Sequence, residues 1–168
     1  MKAERKYLAH YLDGNFDLTY SNTDYQRIGK DLEEFNVELA PNIETKANIL
    51  GENSVLHTGY ETTASADPVY YEYDDALTEK IMEIAMLRKS GDACKTSYVE
   101  VLLKPGVSSS DAPTVVRAVR EDVLLIPSSY GGDTSGVQVP FTVNFNGNRV
   151  EGTWDVTNKK FNANGVGL

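Results

Sequence analysis

The 168-residue chain has a single cysteine, only two histidines, and fewer basic than acidic residues. Cys94 cannot form a disulfide within the chain, which is typical of a protein made in a reducing compartment. The scarcity of cysteine and histidine predicts no zinc site. A net charge of −9 disfavours binding to nucleic acid phosphates and to anionic lipid head groups. No apolar run approaches the roughly 20 residues of a membrane-spanning helix, and the first residues show no apolar stretch of a signal peptide.

The remaining composition is that of a globular domain. Hydrophobic residues make up 40% of the chain and aromatic residues 10%, which excludes wholesale disorder. The length fits one domain spanning residues 1–168, with residues 1–30 as an N-terminal segment.

One segment, at about residues 75–89, has the pattern of an amphipathic helix. Leu77, Ile81 and Ile84 recur at helical spacing on one face. Asp75 is placed to cap the N terminus, and Gly91 is placed to close the C terminus.

Most of the other pattern alternates with the period of two that is typical of β-strands. A strand near residue 37 is predicted to have one apolar face, in the core, and one polar face, in solvent. The apolar face consists of Phe35, Val37 and Leu39. The polar face consists of Glu34, Asn36 and Glu38. A longer apolar run, residues 114–126, is interrupted by charges, and we predict a bulge or short turn near Glu121 and Asp122.

The C-terminal part carries the clearest strand pattern. Alternating apolar residues occupy 137–145 and 150–156, separated by Asn146-Gly147-Asn148. Because Asn and Gly accept the positive φ of a tight turn, this pattern predicts a β-hairpin. Its register places Trp154 opposite Val139, with the large side chains on one face. The predicted core residues of this hairpin are Val139, Phe141, Val143 and Trp154.

Two stretches, at about residues 40–66 and 127–136, lack a regular pattern. The second is glycine-rich but has no P-loop lysine. The first is predicted to be a long loop, and connections of that length are usually functional. It carries apolar side chains with no obvious place in the core, namely Ile43, Ile49, Leu50, Val55 and Leu56.

The sequence offers no recognisable catalytic constellation. A Cys94–His57 dyad is compatible with the composition, but a small structural thiol is the favoured interpretation. Asparagines at 144, 146 and 148 alternate like calcium ligands, but no bidentate glutamate follows in register. We therefore expect no catalytic residue, no metal site, no cofactor and no enzymatic activity.

The segments at residues 31–54 and 130–145 resemble the major tail tube proteins of bacteriophages and the tube proteins of phage-derived tail-like particles. Residues 31–54 read DLEEFNVELAPNIETKANILGENS. Residues 130–145 read YGGDTSGVQVPFTVNF, and GTWD follows at 152–155. The order of the elements is similar as well, and the resemblance covers about residues 30–163.

This resemblance implies a mainly β (α+β) fold, with a β-sandwich or small barrel of antiparallel strands flanked by one α-helix at about residues 75–89. It implies a structural virion protein whose hexameric rings stack into the hollow tail tube that delivers the phage genome into the host. The implied partners are other copies of the chain, the tape-measure protein, and the tail tip and tail terminator proteins. DNA passes through without being bound specifically, and no membrane is involved. The implied location is the phage tail, after synthesis in the bacterial cytoplasm.

Two surfaces of such a subunit can be assigned as expectations. The face of Glu34, Asn36 and Glu38 is expected to line the tube, because carboxylates repel passing phosphates. An ordinary solvated strand face is the alternative. The loop at 40–66 is expected to contact the next ring through its apolar residues, and the alternative is a loop folded back on its own domain.

A function of a different class also fits the composition. A non-catalytic β-sandwich module could bind carbohydrate or a cell surface through the tyrosines at 70, 71 and 73, since tyrosine is enriched at interfaces. The alternative for these tyrosines is packing beneath the helix.

Overall fold

Strands dominate the computed structural model, which describes residues 2–103 and 115–163. The strands are β1 (Leu8–Asp13), β2 (Tyr25–Ile28), β3 (Val37–Glu38), β4 (Pro41–Ala47), β5 (Asn53–Tyr60), β6 (Thr63–Ala66), β7 (Lys95–Leu102), β8 (Val115–Pro127), β9 (Gly131–Asp133), β10 (Gly136–Gln138), β11 (Phe141–Phe145), β12 (Val150–Asp155) and β13 (Lys160–Asn162). The helical elements are α1 (Ala76–Leu87) and two short 3₁₀ turns, Arg5–Tyr7 and Gly91–Cys94. The predicted mainly β fold with one α-helix is confirmed for the described residues.

Nine of the described strands form one antiparallel sheet that curls into a half-barrel. Its order is β2-β1-β7-β8-β11-β6-β3, and β12 and β13 extend it beside the first half of β8. The long strand β8 organises this sheet. Strand β7 runs along one side of it, and β12 and β11 share the other side.

The predicted hairpin across Asn146-Gly147 is wrong. Strand β11 pairs with the second half of β8 and β12 with the first half, so both run in the same direction along one partner. They are two halves of one interrupted strand. Five residue steps from Phe145 to Val150 span only three on β8, from Val123 to Arg120, so the interruption holds two extra residues.

The charged residues in the middle of β8 stabilise this interruption. Strand β8 itself has no bulge there, because its register with β7 continues unchanged through Glu121 and Asp122. The buried Glu121 carboxylate accepts hydrogen bonds from the Gly147 N–H at 2.7 Å and from the Arg149 guanidinium at 3.0 Å. The Asp122 carboxylate accepts one from the Asn148 amide at 2.8 Å. Gly147 has a φ of 88°, a conformation that favours glycine, so the turn residues form a bulge in the partner strand.

Buried apolar side chains form two clusters on opposite faces of the sheet, because alternate residues of β1 and β7 belong to different clusters. Helix α1 covers the first cluster, which contains Leu12, Phe35, Ala64, Ala66, Leu77, Ile81, Tyr98, Val123, Leu125, Val139, Phe141 and Val143. The second cluster contains Ala9, Tyr11, Tyr25, Val99, Val101, Ala118 and Trp154.

The side chains assigned to the core from the sequence fall into three groups. Those that are buried are Phe35, Val139, Phe141, Val143 and Trp154. Val37 is half-buried against the first cluster. Leu39 is 52% exposed and lies outside the core, because β3 ends at Glu38 and the chain leaves the main sheet there.

Trp154 does not share a face with Val139 and Val143, which corrects the prediction from the hairpin register. A hairpin would have placed Trp154 opposite Val139. On one interrupted strand Trp154 belongs to the second cluster, where its ring centroid lies 4.6 Å from that of Tyr11 and 5.5 Å from that of Tyr25.

Helix α1 begins and ends close to the predicted positions. The Asp75 carboxylate accepts a hydrogen bond from the Leu77 N–H at 3.2 Å, which caps the N terminus. Arg88 takes the left-handed conformation with a φ of 50°, and its N–H donates to the Ala85 carbonyl at 3.3 Å. The helix therefore closes at Arg88, and Gly91 begins the following 3₁₀ turn. No helix in the described ranges is both long and apolar enough to span a membrane.

Residues 40–66, predicted to be an irregular loop, contain a regular hairpin. Strands β4 and β5 pair from Pro41 opposite Tyr60 to Ala47 opposite Asn53, with one irregularity after Asn42. They form a two-stranded sheet apart from the main one. Nearly all of their residues are exposed, so neither face is apolar enough to produce the alternating pattern by which strands are recognised.

Candidate functional site

The β4–β5 hairpin, residues 41–60, projects from the main sheet and is called the arm below. Strand β3 ends at Glu38 opposite Thr63, where β6 begins. The Glu61 N–H donates to the Ala40 carbonyl at 3.2 Å, which joins the two ends of the hairpin at its base. Because β3 points toward this end of the sheet and β6 returns from it, the arm leaves the sheet there. Its seven residue pairs make it roughly 20 Å long.

The tip of the arm presents two aliphatic side chains on an ordered turn. Ile49 is 102% exposed and Leu50 is 77% exposed. The Asn48 side-chain oxygen accepts hydrogen bonds from the Leu50 and Glu52 N–H groups, each at 3.0 Å. The Asn48 amide donates to the Glu52 carboxylate at 2.7 Å. One asparagine thus holds the backbone that displays the apolar pair.

The shaft of the arm carries the other three apolar residues expected at a ring contact. Ile43, Val55 and Leu56 are all exposed. The register places Ile43 and Val55 on one face and Leu56 on the other. Exposed apolar groups gathered on one element are typical of an interaction surface, so the arm is the first candidate site.

The acidic face is the second candidate site. Glu34, Asn36 and Glu38 are exposed, and the buried Phe35 lies between them in the chain. The Asn36 amide donates to the Glu34 carboxylate. Only Glu38 belongs to β3, which stands at the end of the strand order. The structure thus brings the acidic face and the base of the arm together at one margin of the sheet.

A buried polar network, which the sequence analysis did not identify, lies beside this margin. The Arg5 guanidinium contacts Nε2 of His10 at 3.1 Å. Because a guanidinium only donates, Nε2 accepts and the Nδ1–H of His10 donates to the Tyr98 hydroxyl. That hydroxyl donates to the Glu100 carboxylate at 3.2 Å, and Arg149 faces the same carboxylate at 3.9 Å.

The environment keeps both central groups of this network neutral near pH 7. Burial is the largest cause, and the positive charges of Arg5 and Arg27 are the next; together they lower the pKa of His10 to about 4. The pKa of Tyr98 is raised, mainly by burial and next by the negative charge of Glu100. The network is therefore a fixed chain of donors that runs from one arginine to a carboxylate, and its residues come from sequence positions that no local motif connects.

A cavity of about 680 Å³ opens above this network. Its lining includes His10 and Glu100 from the network and Leu39 and Tyr60 from the base of the arm. Arg5 also donates to the Phe35 carbonyl at 2.9 Å. This contact ties the network to the segment that carries the acidic face and leads to the arm. The charged groups of the network, Arg5, Glu100 and Arg149, all have partners, so the arrangement supports that segment structurally.

Of the two residues weighed for a catalytic dyad, Cys94 ends the second 3₁₀ turn and His57 lies on the arm. Cys94 is buried and donates to the Lys89 carbonyl at 3.4 Å, and burial raises its pKa. His57 stands on the exposed arm with its ring 4.6 Å from that of Tyr60. Within residues 2–103 and 115–163, no group of three or more His, Cys, Asp or Glu side chains is arranged to hold a metal ion.

The tyrosine cluster is partly exposed. Tyr71 and Tyr73 make an edge-to-face contact with centroids 5.3 Å apart. Tyr73 is 83% exposed, whereas Tyr70 is half-buried and forms a bridge with Gln138.

Comparison with known proteins finds little. No family model matches the chain, and no curated protein matches it. Among solved structures, the chain is similar to the sheath/tube terminator, in the extended state, of an extracellular contractile injection system, PVC. The identity is 9%, the match covers 90% of this chain and 96% of that chain, and the TM-score is 0.47. These comparisons assign the chain to no family.

Proposed function

We propose that this chain is a structural subunit of a bacteriophage tail or of a related tail-like particle. In this proposal six copies form a ring, and the rings stack into a hollow tube through which the genome passes. The sequence resemblance at residues 31–54 and 130–145 supports this role. The observation that carries it is the arm, which displays aliphatic side chains away from the core of its own chain.

Stacked rings would give those side chains a partner. Apolar surface removed from water contributes roughly 25 cal/mol per Å², so a single arm buried against a neighbour supplies a modest gain. A ring repeats that contact in each of its subunits. Because these contacts form together between two linked assemblies, the rings bind each other more tightly than two single subunits do. The arm is therefore suited to join rings that would associate weakly as single subunits.

The acidic face has a separate place in the proposal. Glu34, Asn36 and Glu38 would line the tube, so that each ring contributes a circle of carboxylates. Such a wall repels DNA phosphates and does not retain the passing polymer. The role is structural and needs no catalytic group.

Electron microscopy of the purified chain over a series of concentrations tests the proposal. We expect rings, and then tubes of uniform diameter with a central channel, as the concentration rises. A protein that sediments as a monomer at every concentration and salt level, including after addition of a tail tip complex, would overturn it.

A second candidate is a binding module for carbohydrate or a cell surface. The exposure of Tyr73 beside Tyr71 favours it, because a tyrosine pair offers contact area at low entropic cost. This function requires a persistent monomer whose melting temperature rises with a glycan ligand. It also requires that Tyr73→Ala abolish that rise without altering the melting temperature of the free protein.

A further inference from the structure

A small cleft lies at the C-terminal end of helix α1, between that end and the corner that follows β8. Its volume is about 290 Å³. Ile126, Pro127 and Tyr130 contribute to its lining, and Arg88 and Lys89 stand on the helix side. Ile126 and Tyr130 are exposed, so the cleft has an apolar floor that solvent reaches. A cleft of this size, at the lower limit of ligand pockets, admits one or two side chains.

The cleft and the base of the arm stand at opposite ends of two short strands, β6 and β11. Strand β8 ends at Pro127, which pairs with Phe141, and Phe141 pairs with Ala66 at the end of β6. The arm leaves the sheet at Thr63, where β6 begins. Two different surfaces on one subunit, here at the two ends of β6, are what a head-to-tail contact between copies requires.

The tip of the arm also matches the cleft in chemistry. It offers the two aliphatic side chains of Ile49 and Leu50 and, beside them, the Glu52 carboxylate. One oxygen of Glu52 accepts a hydrogen bond from the Asn48 amide, and the residue is exposed. At the cleft, the Arg88 side chain is exposed and has no ion-pair partner in the described part of the chain, whereas Lys89 pairs with Glu83.

We propose that the tip of the arm inserts Ile49 and Leu50 into the cleft of a second copy in the neighbouring ring, with Glu52 facing Arg88 of that copy. This inference rests on the proposed function and names the residues of the ring-to-ring contact. The apolar pair acts as the anchor, and the charge pair sets its register.

A charge exchange tests the contact. Glu52→Arg and Arg88→Glu should each raise the subunit concentration needed for tube assembly by about tenfold, because each places like charges together. The variant that carries both changes should assemble at nearly the wild-type concentration. Leu50→Ser should also impair assembly, whereas Leu102→Ser, at a similarly exposed position on β7, should not. Circular dichroism and melting temperature establish that each variant is folded.

Cross-linking gives a readout that does not depend on the efficiency of assembly. Subunits with Leu50→Cys are mixed with subunits with Ser129→Cys, both in a Cys94→Ala background, and are exposed to air oxidation. A mixed disulfide dimer should form in tubes and be absent from dilute monomers. Wild-type protein that never assembles would overturn this inference together with the proposed function. Normal tubes without charge rescue and without the mixed dimer would overturn this inference alone.

Discussion

Trp154 is the largest side chain of the second apolar cluster, and it is 1% exposed. Its removal exposes the rings of Tyr11 and Tyr25 to a cavity that the curled sheet can close only in part. We expect Trp154→Ala to lower the free energy of unfolding by about 3–5 kcal/mol, as measured by urea unfolding. Val156→Ala, two residues further and 41% exposed, should cost less than about 1 kcal/mol. Equal stability of the two variants would contradict the burial of Trp154.

His10 makes the free energy of unfolding depend on pH. Its pKa in the folded chain, about 4, lies below the ordinary value of 6.5. An unfolded chain therefore takes up a proton as the pH falls through about 6.5, whereas the folded chain does so only near pH 4. His10 therefore does not affect the pH dependence above about pH 6.5, and it lowers the free energy of unfolding progressively between about pH 6.5 and pH 4, by about 3 kcal/mol in all.

Urea unfolding at pH 7 and at pH 4.5 measures this effect. Wild-type protein should lose more stability between the two pH values than His10→Gln does, because carboxylates contribute equally to both. The groups that face the imidazole are Arg5, Arg27 and the Tyr98 hydroxyl, and all of them are retained in the variant. Parallel loss of stability in both proteins would show that His10 does not titrate as described.

Among the elements, the helix could be predicted from the sequence because its signals are local. The cap at Asp75 and the spacing of Leu77, Ile81 and Ile84 lie within one segment. Strand pairing is a different matter. Asn146-Gly147 supplies the positive φ that both a hairpin and a bulge need, and the choice between them depends on β8, which is long enough to pair with both halves of the interrupted strand.

The candidate sites show the same limit. The sequence indicates the apolar residues of the arm, because they have no obvious place in the core, but it predicts a loop where the structure has a hairpin. A hairpin with two exposed faces has no alternating pattern to reveal it. The network around His10 left no local signal, since Arg5, Tyr98 and Arg149 meet only after the sheet has formed.

The arm pairs chiefly with itself, so its removal separates assembly from folding. Replacing residues 42–59 by a short Gly-Ser turn should change the free energy of unfolding of the monomer by less than about 1 kcal/mol. The same variant should form no long tubes, because the aliphatic side chains of the arm are gone. Thermal unfolding and electron microscopy check the two halves of this prediction, and normal tubes from the shortened chain would contradict it.

At the scale of the whole molecule, charge is the property to alter. The chain carries a net charge of −9, and Glu34 and Glu38 place part of it at one margin of the sheet, where both residues are exposed. The double change Glu34→Lys and Glu38→Lys should leave tubes intact, because neither side chain is buried, but should slow the passage of DNA through them.

A phage that carries the double variant provides the measurement. Electron microscopy should show normal tails, and the rate of DNA ejection should fall relative to a control with Glu34→Gln and Glu38→Gln. Placement of these side chains on the outer surface of the tube, in a cryo-EM map, would contradict the assignment to the lumen.

The arm and the cleft are different surfaces at the two ends of β6, and this gives the proposed stack a direction. In each contact between rings, the arms of one ring occupy the clefts of the next. One end of a growing tube therefore always presents free arms, and the other end always presents free clefts. A subunit without its arm could still receive a neighbour in its cleft, but it would offer nothing to the ring beyond it. Small amounts of such a subunit would therefore cap one end and shorten the polymer, so that tube length would follow the dose of the capping chain.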